Sequence, residues 1–206
     1  MISNHIHDAL AQVRTLQAFI VERNLFKGYS GKARLFAGSI ALAGTVVLGS
    51  PRIPASPWVH LAGWGTILLL GVISNYAALV YWFLFDGNVR RNPVMLKPAL
   101  DAVPALGVGA FVSLALILHH EFNLLFGVWM CLYGLAQVAY RNSMPRDIYR
   151  IGLFYLVCGA VCLLSPWVRF TSPWPMGLVF FGGETAGGWV LIQAHRKTIG
   201  QEECGV

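Results

Sequence analysis

Residues 57–85 read PWVHLAGWGTILLLGVISNYAALVYWFLF, without one Asp, Glu, Lys or Arg. A run of about 20 apolar residues is enough to cross the ~30 Å hydrocarbon core of a bilayer, and this one is longer, so as a helix it tilts or extends into the interface. The rest of the chain agrees with that reading. Of its 206 residues 56% are hydrophobic and only 12% are charged, and mean hydropathy is +0.61. An ordinary soluble domain carries about 25% charge, while a disordered chain combines high charge with few aromatics. Neither pattern fits seven Trp, seven Tyr and twelve Phe.

Five further apolar runs stand at roughly 33–49, 99–118, 122–140, 149–166 and 174–194, each bounded by charge or by a proline-rich turn. The expected fold is therefore all-α: a polytopic membrane protein with a six-transmembrane-helix bundle. Three parts are expected: an amphipathic interfacial helix and turn over 1–31, the transmembrane domain over 32–195 and a cytoplasmic tail over 196–206. Cys131, Cys158 and Cys162 fall within spans and Cys204 in the tail, so no disulfide framework is implied. Residues 1–32 lack the apolar core and small-residue cleavage site of a signal peptide.

The basic residues orient such a bundle, because Lys and Arg accumulate in cytoplasmic loops. Arg14, Arg23, Lys27 and Lys32 precede the first run with Arg34 at its very start, and Arg90, Arg91 and Lys97 follow the second. Arg141, Arg146 and Arg150 follow the fourth run, and Arg196 and Lys197 the sixth. Only Arg52 and Arg169, of the 15 Lys and Arg, fall on the other side. Both termini are expected in the cytoplasm, with the chain in a bacterial inner membrane. The net charge of +6 then reads as an orientation and anionic-lipid signal rather than as the mark of a nucleic-acid partner.

Ahead of the first run, residues 4–27 have the periodicity of an amphipathic helix. Ile6, Leu10, Val13, Leu16 and Ile20 recur every three or four residues, with His7, Gln12, Arg14 and Glu22 on other faces. Such a helix can lie in the membrane interface, pair with its copy in a second protomer or dock on a partner. Gly28-Tyr29-Ser30-Gly31 ends it, and Ser30 can cap the next helix.

Several stretches carry a family resemblance. ERNLFKGYSGKARLFAG at 22–38, VWMCLYGL at 128–135 and IGLFYLVCGA at 151–160 together resemble small six-span bacterial integral membrane proteins of unknown function, often encoded near a winged-helix regulator. The resemblance implies a fold and a bacterial origin, and it supplies no catalytic residues. The chain departs from that pattern in its last run, where Glu184 follows Gly182 and Gly183 at a place where the family commonly has His.

Glu184 is the sharpest candidate for chemistry. An ionisable group inside a span costs about 2.5–3.5 kcal/mol on insertion scales and is a functional hypothesis by default. Desolvation there favours a neutral or proton-exchanging carboxyl. Asn75, Tyr133 and Tyr155, with Ser74, Ser113 and Gln137, can line a ligand or proton site with it. They can equally make interhelical hydrogen bonds, and Gly183 and Gly187 form a small-xxx-small packing face.

A metal site is the weaker alternative. His119-His120-Glu121 falls between the third and fourth runs, and His60 enters the second at the same level. Zinc accepts such ligands, although adjacent histidines in one turn seldom aim at one ion, and haem needs ligands facing each other inside the bundle. No phosphate loop, nucleophile elbow or zinc-protease helix occurs, so no cofactor is expected. The chain reads as a non-enzymatic membrane-embedded binding, sensing or accessory/assembly subunit, whose partners are the lipid bilayer and either a second copy of itself or another membrane subunit. The alternatives are a small transporter or channel using Glu184 and, behind it, a metal- or haem-dependent membrane enzyme.

Overall fold

A computed structural model describes residues 30–85, 103–139 and 144–204, and every regular element in them is helical. The main helices are α1 (Gly31–Leu48), α2 (Pro57–Phe85), α3 (Val103–Leu118), α4 (Leu125–Ala139), α5 (Arg146–Leu164) and α6 (Trp174–Cys204). A short 3-10 turn, Phe122–Leu124, leads into α4. The ends follow local chemistry. The Ser30 hydroxyl accepts the Ala33 N–H at 3.3 Å and caps α1. The Gly49 N–H returns to the Thr45 carbonyl at 2.8 Å and closes its C-terminus. Ser-Pro-Trp marks the start of both α2 and α6.

One expectation is corrected here. Only four of these helices combine the length and hydropathy of a span: Gly31–Leu48, Pro57–Trp82, Phe122–Ala139 with its leading turn, and Arg146–Leu164. α3 is apolar but has 16 residues, about 24 Å at 1.5 Å per residue and short of a ~30 Å core. α6 is long, but it contains Glu184 between paired glycines and lies against α1 and α5. Its polarity belongs to a helix covered by protein on its working face. The protein is an all-α polytopic membrane protein.

Two antiparallel pairs make the centre, α1 with α6 and α4 with α5, and α5 joins them through α6. Glycines one heptad apart set how closely each pair approaches. On α4, Gly127 and Gly134 face Gly159 and Gly152 of α5. A methyl group on Gly152 would sit 3.0 Å from the Gly134 carbonyl oxygen, and one on Gly159 would sit 2.9 Å from that of Gly127. On α1, Gly31, Gly38 and Thr45 share one face by the same spacing. Gly188 would bring a Cβ to 2.7 Å from the Gly31 carbonyl, and Gly177 has no room for a side chain against Thr45. Small residues that let backbones meet are the main packing device of membrane helices, where no hydrophobic effect drives helices together. The heptad spacing matches the small crossing angle of left-handed pairs.

Around one end of this kernel, Trp64, Phe122, Phe126, Phe170 and Met176 form an apolar cluster. The Asn123 side-chain oxygen accepts the Phe170 N–H at 2.9 Å and ties the α5–α6 connection to the start of α4. α2 packs on α1 and α3 on α4, both at the periphery. Only 11% of the α2 span is buried, against 33–39% of the other three.

Candidate functional site

Four helices of the kernel each deliver a polar side chain to one point. Arg34 comes from the first turn of α1, Tyr133 and Gln137 from α4, Tyr155 from α5 and Glu184 from α6. The Arg34 Nε donates to Glu184 Oε2 at 2.9 Å and its Nη2 to Oε1 at 2.8 Å. This two-point geometry is the strongest that guanidinium and carboxylate can form. The Arg34 Nη1 donates to Gln137 Oε1 at 3.4 Å. The Tyr133 hydroxyl donates to Glu184 Oε1 at 2.6 Å, and the Tyr155 hydroxyl lies 3.2 Å from the same oxygen and 3.4 Å from the Phe180 carbonyl.

The ion pair is closed to its surroundings, with Tyr133 half-buried at its edge. Arg34 is 8% exposed, Glu184 4% and Gln137 5%. Tyr133 and Tyr155 meet edge to face at 5.0 Å, and each packs on Phe180. Glycines create the space: a Cβ on Gly187 would stand 2.6 Å from Arg34 Cζ, one on Gly38 would stand 2.9 Å from Glu184 Cβ, and one on Gly183 would enter the Tyr155 ring. The glycines of Gly182-Gly183-Glu184-Thr185-Ala186-Gly187-Gly188 thus admit two large side chains from neighbouring helices. In hydrocarbon an isolated charge is costly. A buried pair offsets that cost only with good geometry and further hydrogen bonds to the remaining lone pairs. Both conditions are met, since both oxygens of Glu184 accept from charged or hydroxyl donors.

Two expectations change at this point. Arg34, grouped by sequence with the flanking cations, is buried within α1 and is the counter-ion of Glu184. The signal that could have found Arg34 is its place on the small-residue face of α1, between Gly31 and Gly38. Asn75 stands apart: its side-chain N–H₂ donates to the Gly71 carbonyl of its own helix at 2.9 Å. Ser74 does the same from its hydroxyl at 3.0 Å, and Ser113 accepts the Trp129 indole N–H at 2.8 Å.

The histidines do not converge. His120 takes a left-handed backbone, φ 59°, where α3 ends, and the N–H groups of His119, His120 and Glu121 return to carbonyls of its last turn. All three side chains are exposed, whereas His60 on α2 is buried. Among the described residues no three His, Cys, Asp or Glu side chains gather as a metal site. Ile6, Leu10, Val13, Leu16 and Ile20 lie outside the described residues. No family model matches the chain, and no match was found among curated proteins or solved structures.

Proposed function

We propose that the chain is a non-enzymatic accessory or assembly subunit of a bacterial inner membrane, in which the Arg34–Glu184 cluster locks a four-helix kernel that carries α2 as an outrigger for lateral contacts. The observation behind this reading is a contrast between centre and edge. The central carboxyl already holds Arg34, Tyr133 and Tyr155 as partners, which favours a structural role over proton or cation carriage. At the edge, Leu69, Ile73, Tyr76, Val80 and Leu84 form one uncovered stripe along α2, with the three-and-four spacing by which helices recognise one another. The proposed orientation puts the end bearing Lys32, Arg146, Arg150 and Arg196 in the cytoplasm.

Photo-crosslinking from Leu69, Ile73 and Val80 in native membranes tests the proposal. A discrete adduct with a second membrane protein, or with a second copy of this chain, is the expected outcome. Crosslinks to lipid alone from all three positions contradict it.

A further inference from the structure

The outer surface of the kernel is bounded at both ends, and the register of its helices fixes where. Gly31 of α1 meets Gly188 of α6, and Tyr155 of α5 meets Gly183. Trp189 lies six residues on from Gly183, and Tyr149 six residues back from Tyr155. In antiparallel helices both therefore stand near the level where α1 begins. Lys32, Tyr149, Arg150 and Trp189 are all exposed there. At the opposite end Gly49 lies against Trp174, and α5 stops at Leu164. Trp174, and Trp167 in the connection after α5, are exposed at that end.

Every exposed residue between these levels, from Leu153 to Leu164 on α5 and from Leu178 to Ala186 on α6, is apolar or glycine. Tyr and Trp gather where hydrocarbon gives way to headgroups, so the two levels are the edges of an apolar belt. Fifteen residues separate Tyr149 from Leu164 and Trp174 from Trp189, about 22 Å of helix at ~1.5 Å per residue. A hydrocarbon core of ~30 Å is taller. A bilayer meets a short belt by thinning around it, at a modest cost per ångström.

α2 differs. Gly63 lies against Leu48 and Gly44 against Ile67, so α2 runs past α1 at both ends. Its excess is aromatic, with Trp58 exposed at one end and Tyr81 stacked on Phe85 at 4.9 Å at the other. Because α2 packs on α1, the bundle is tall beside α1 and short on its α5–α6 face.

We propose that the α5–α6 face binds a locally thinned bilayer and selects lipids of short hydrocarbon length, while α2 stands in membrane of ordinary depth. Lipid selection by this face needs no partner on α2 and is tested separately from it.

The test is lipid competition in vesicles holding the full chain. Trp58→Phe and Trp82→Phe remove tryptophans of α2, so that exposed Trp167, Trp174 and Trp189 report on the short face. Brominated phosphatidylcholine with 18-carbon chains quenches them, and unbrominated phosphatidylcholine of 14 or 18 carbons relieves the quenching. The 14-carbon lipid is expected to compete about threefold better than the 18-carbon one. Adding Trp189→Leu and Gln193→Leu, both at exposed positions, carries the apolar face of α6 on to Arg196 and should abolish that preference. Equal competition by the two lipids before this change, or better competition by the 18-carbon lipid, overturns the proposal. So does an undiminished 14-carbon preference after it, with the unfolding temperature unaltered.

Discussion

Arg34 and Glu184, 150 residues apart in sequence, meet through two parallel hydrogen bonds of 2.9 and 2.8 Å at the contact between the antiparallel helices α1 and α6. The pair fixes more than distance. A guanidinium fork donates to a carboxylate in one plane, and sliding either helix by even one residue's rise, about 1.5 Å, would break the two bonds. The glycines around the pair set how near the helices come, and the charges set where along each other they stop.

The two tyrosines should not count equally. Tyr133→Phe removes the 2.6 Å hydrogen bond to Glu184, and Tyr155→Phe the longer one of 3.2 Å. Hydrogen bonds between membrane helices average about 0.6 kcal/mol and reach about 1.7 kcal/mol. Tyr133→Phe is expected near the upper figure and Tyr155→Phe near the average, measured as unfolding free energy in mixed micelles. The reverse order would mean that Tyr155 is the principal donor.

Glycine substitutions should divide sharply along α6. Gly183→Ala places a methyl in the Tyr155 ring, whereas Gly182→Ala meets nothing within 4 Å. Overpacking typically costs about 1–3 kcal/mol, and alanine in an open helical position is favoured over glycine by about 0.5–1 kcal/mol. Thermal unfolding should therefore show Gly183→Ala destabilised and Gly182→Ala unchanged or slightly stabilised. Equal effects would contradict the packing described.

The physics also explains which features could be read in advance. The uncharged run of 57–85 marks a membrane helix, and Gly183 and Gly187 are visible as a packing face, whereas the pairing of the glycines at 127 and 134 with those at 159 and 152 needs the register of α4 on α5. Glu184 stands out because a carboxyl in an apolar run is rare. Arg34 was hidden because a basic residue at the first turn of a membrane helix ordinarily marks the interface, and only the antiparallel register of α1 on α6 places it beside Glu184. α6 was misjudged as a span like the others because its polarity is answered by α1, α4 and α5, distant partners that hydropathy does not record. Adjacent His119 and His120 suggested a ligand pair, but at the end of α3 they serve as the residues that turn the chain.

Topology supplies a further check. In a cysteine-free background, a membrane-impermeant maleimide added outside intact cells should label Arg169→Cys and leave Arg150→Cys unmodified until the membrane is opened. Labelling of Arg150→Cys from outside would reverse the proposed orientation.

The most direct test of the Arg34–Glu184 lock is a double-mutant cycle with Arg34→Met and Glu184→Gln, read as unfolding free energy in micelles. Removing one partner of a buried pair strands the other and costs about 3–5 kcal/mol, whereas replacing both is far milder. Each single variant is expected to be strongly destabilised, the double variant to recover much of the loss, and the coupling to be about 2–3 kcal/mol. Additive effects, with coupling below about 0.5 kcal/mol, would show that the pair does not hold α1 and α6 together.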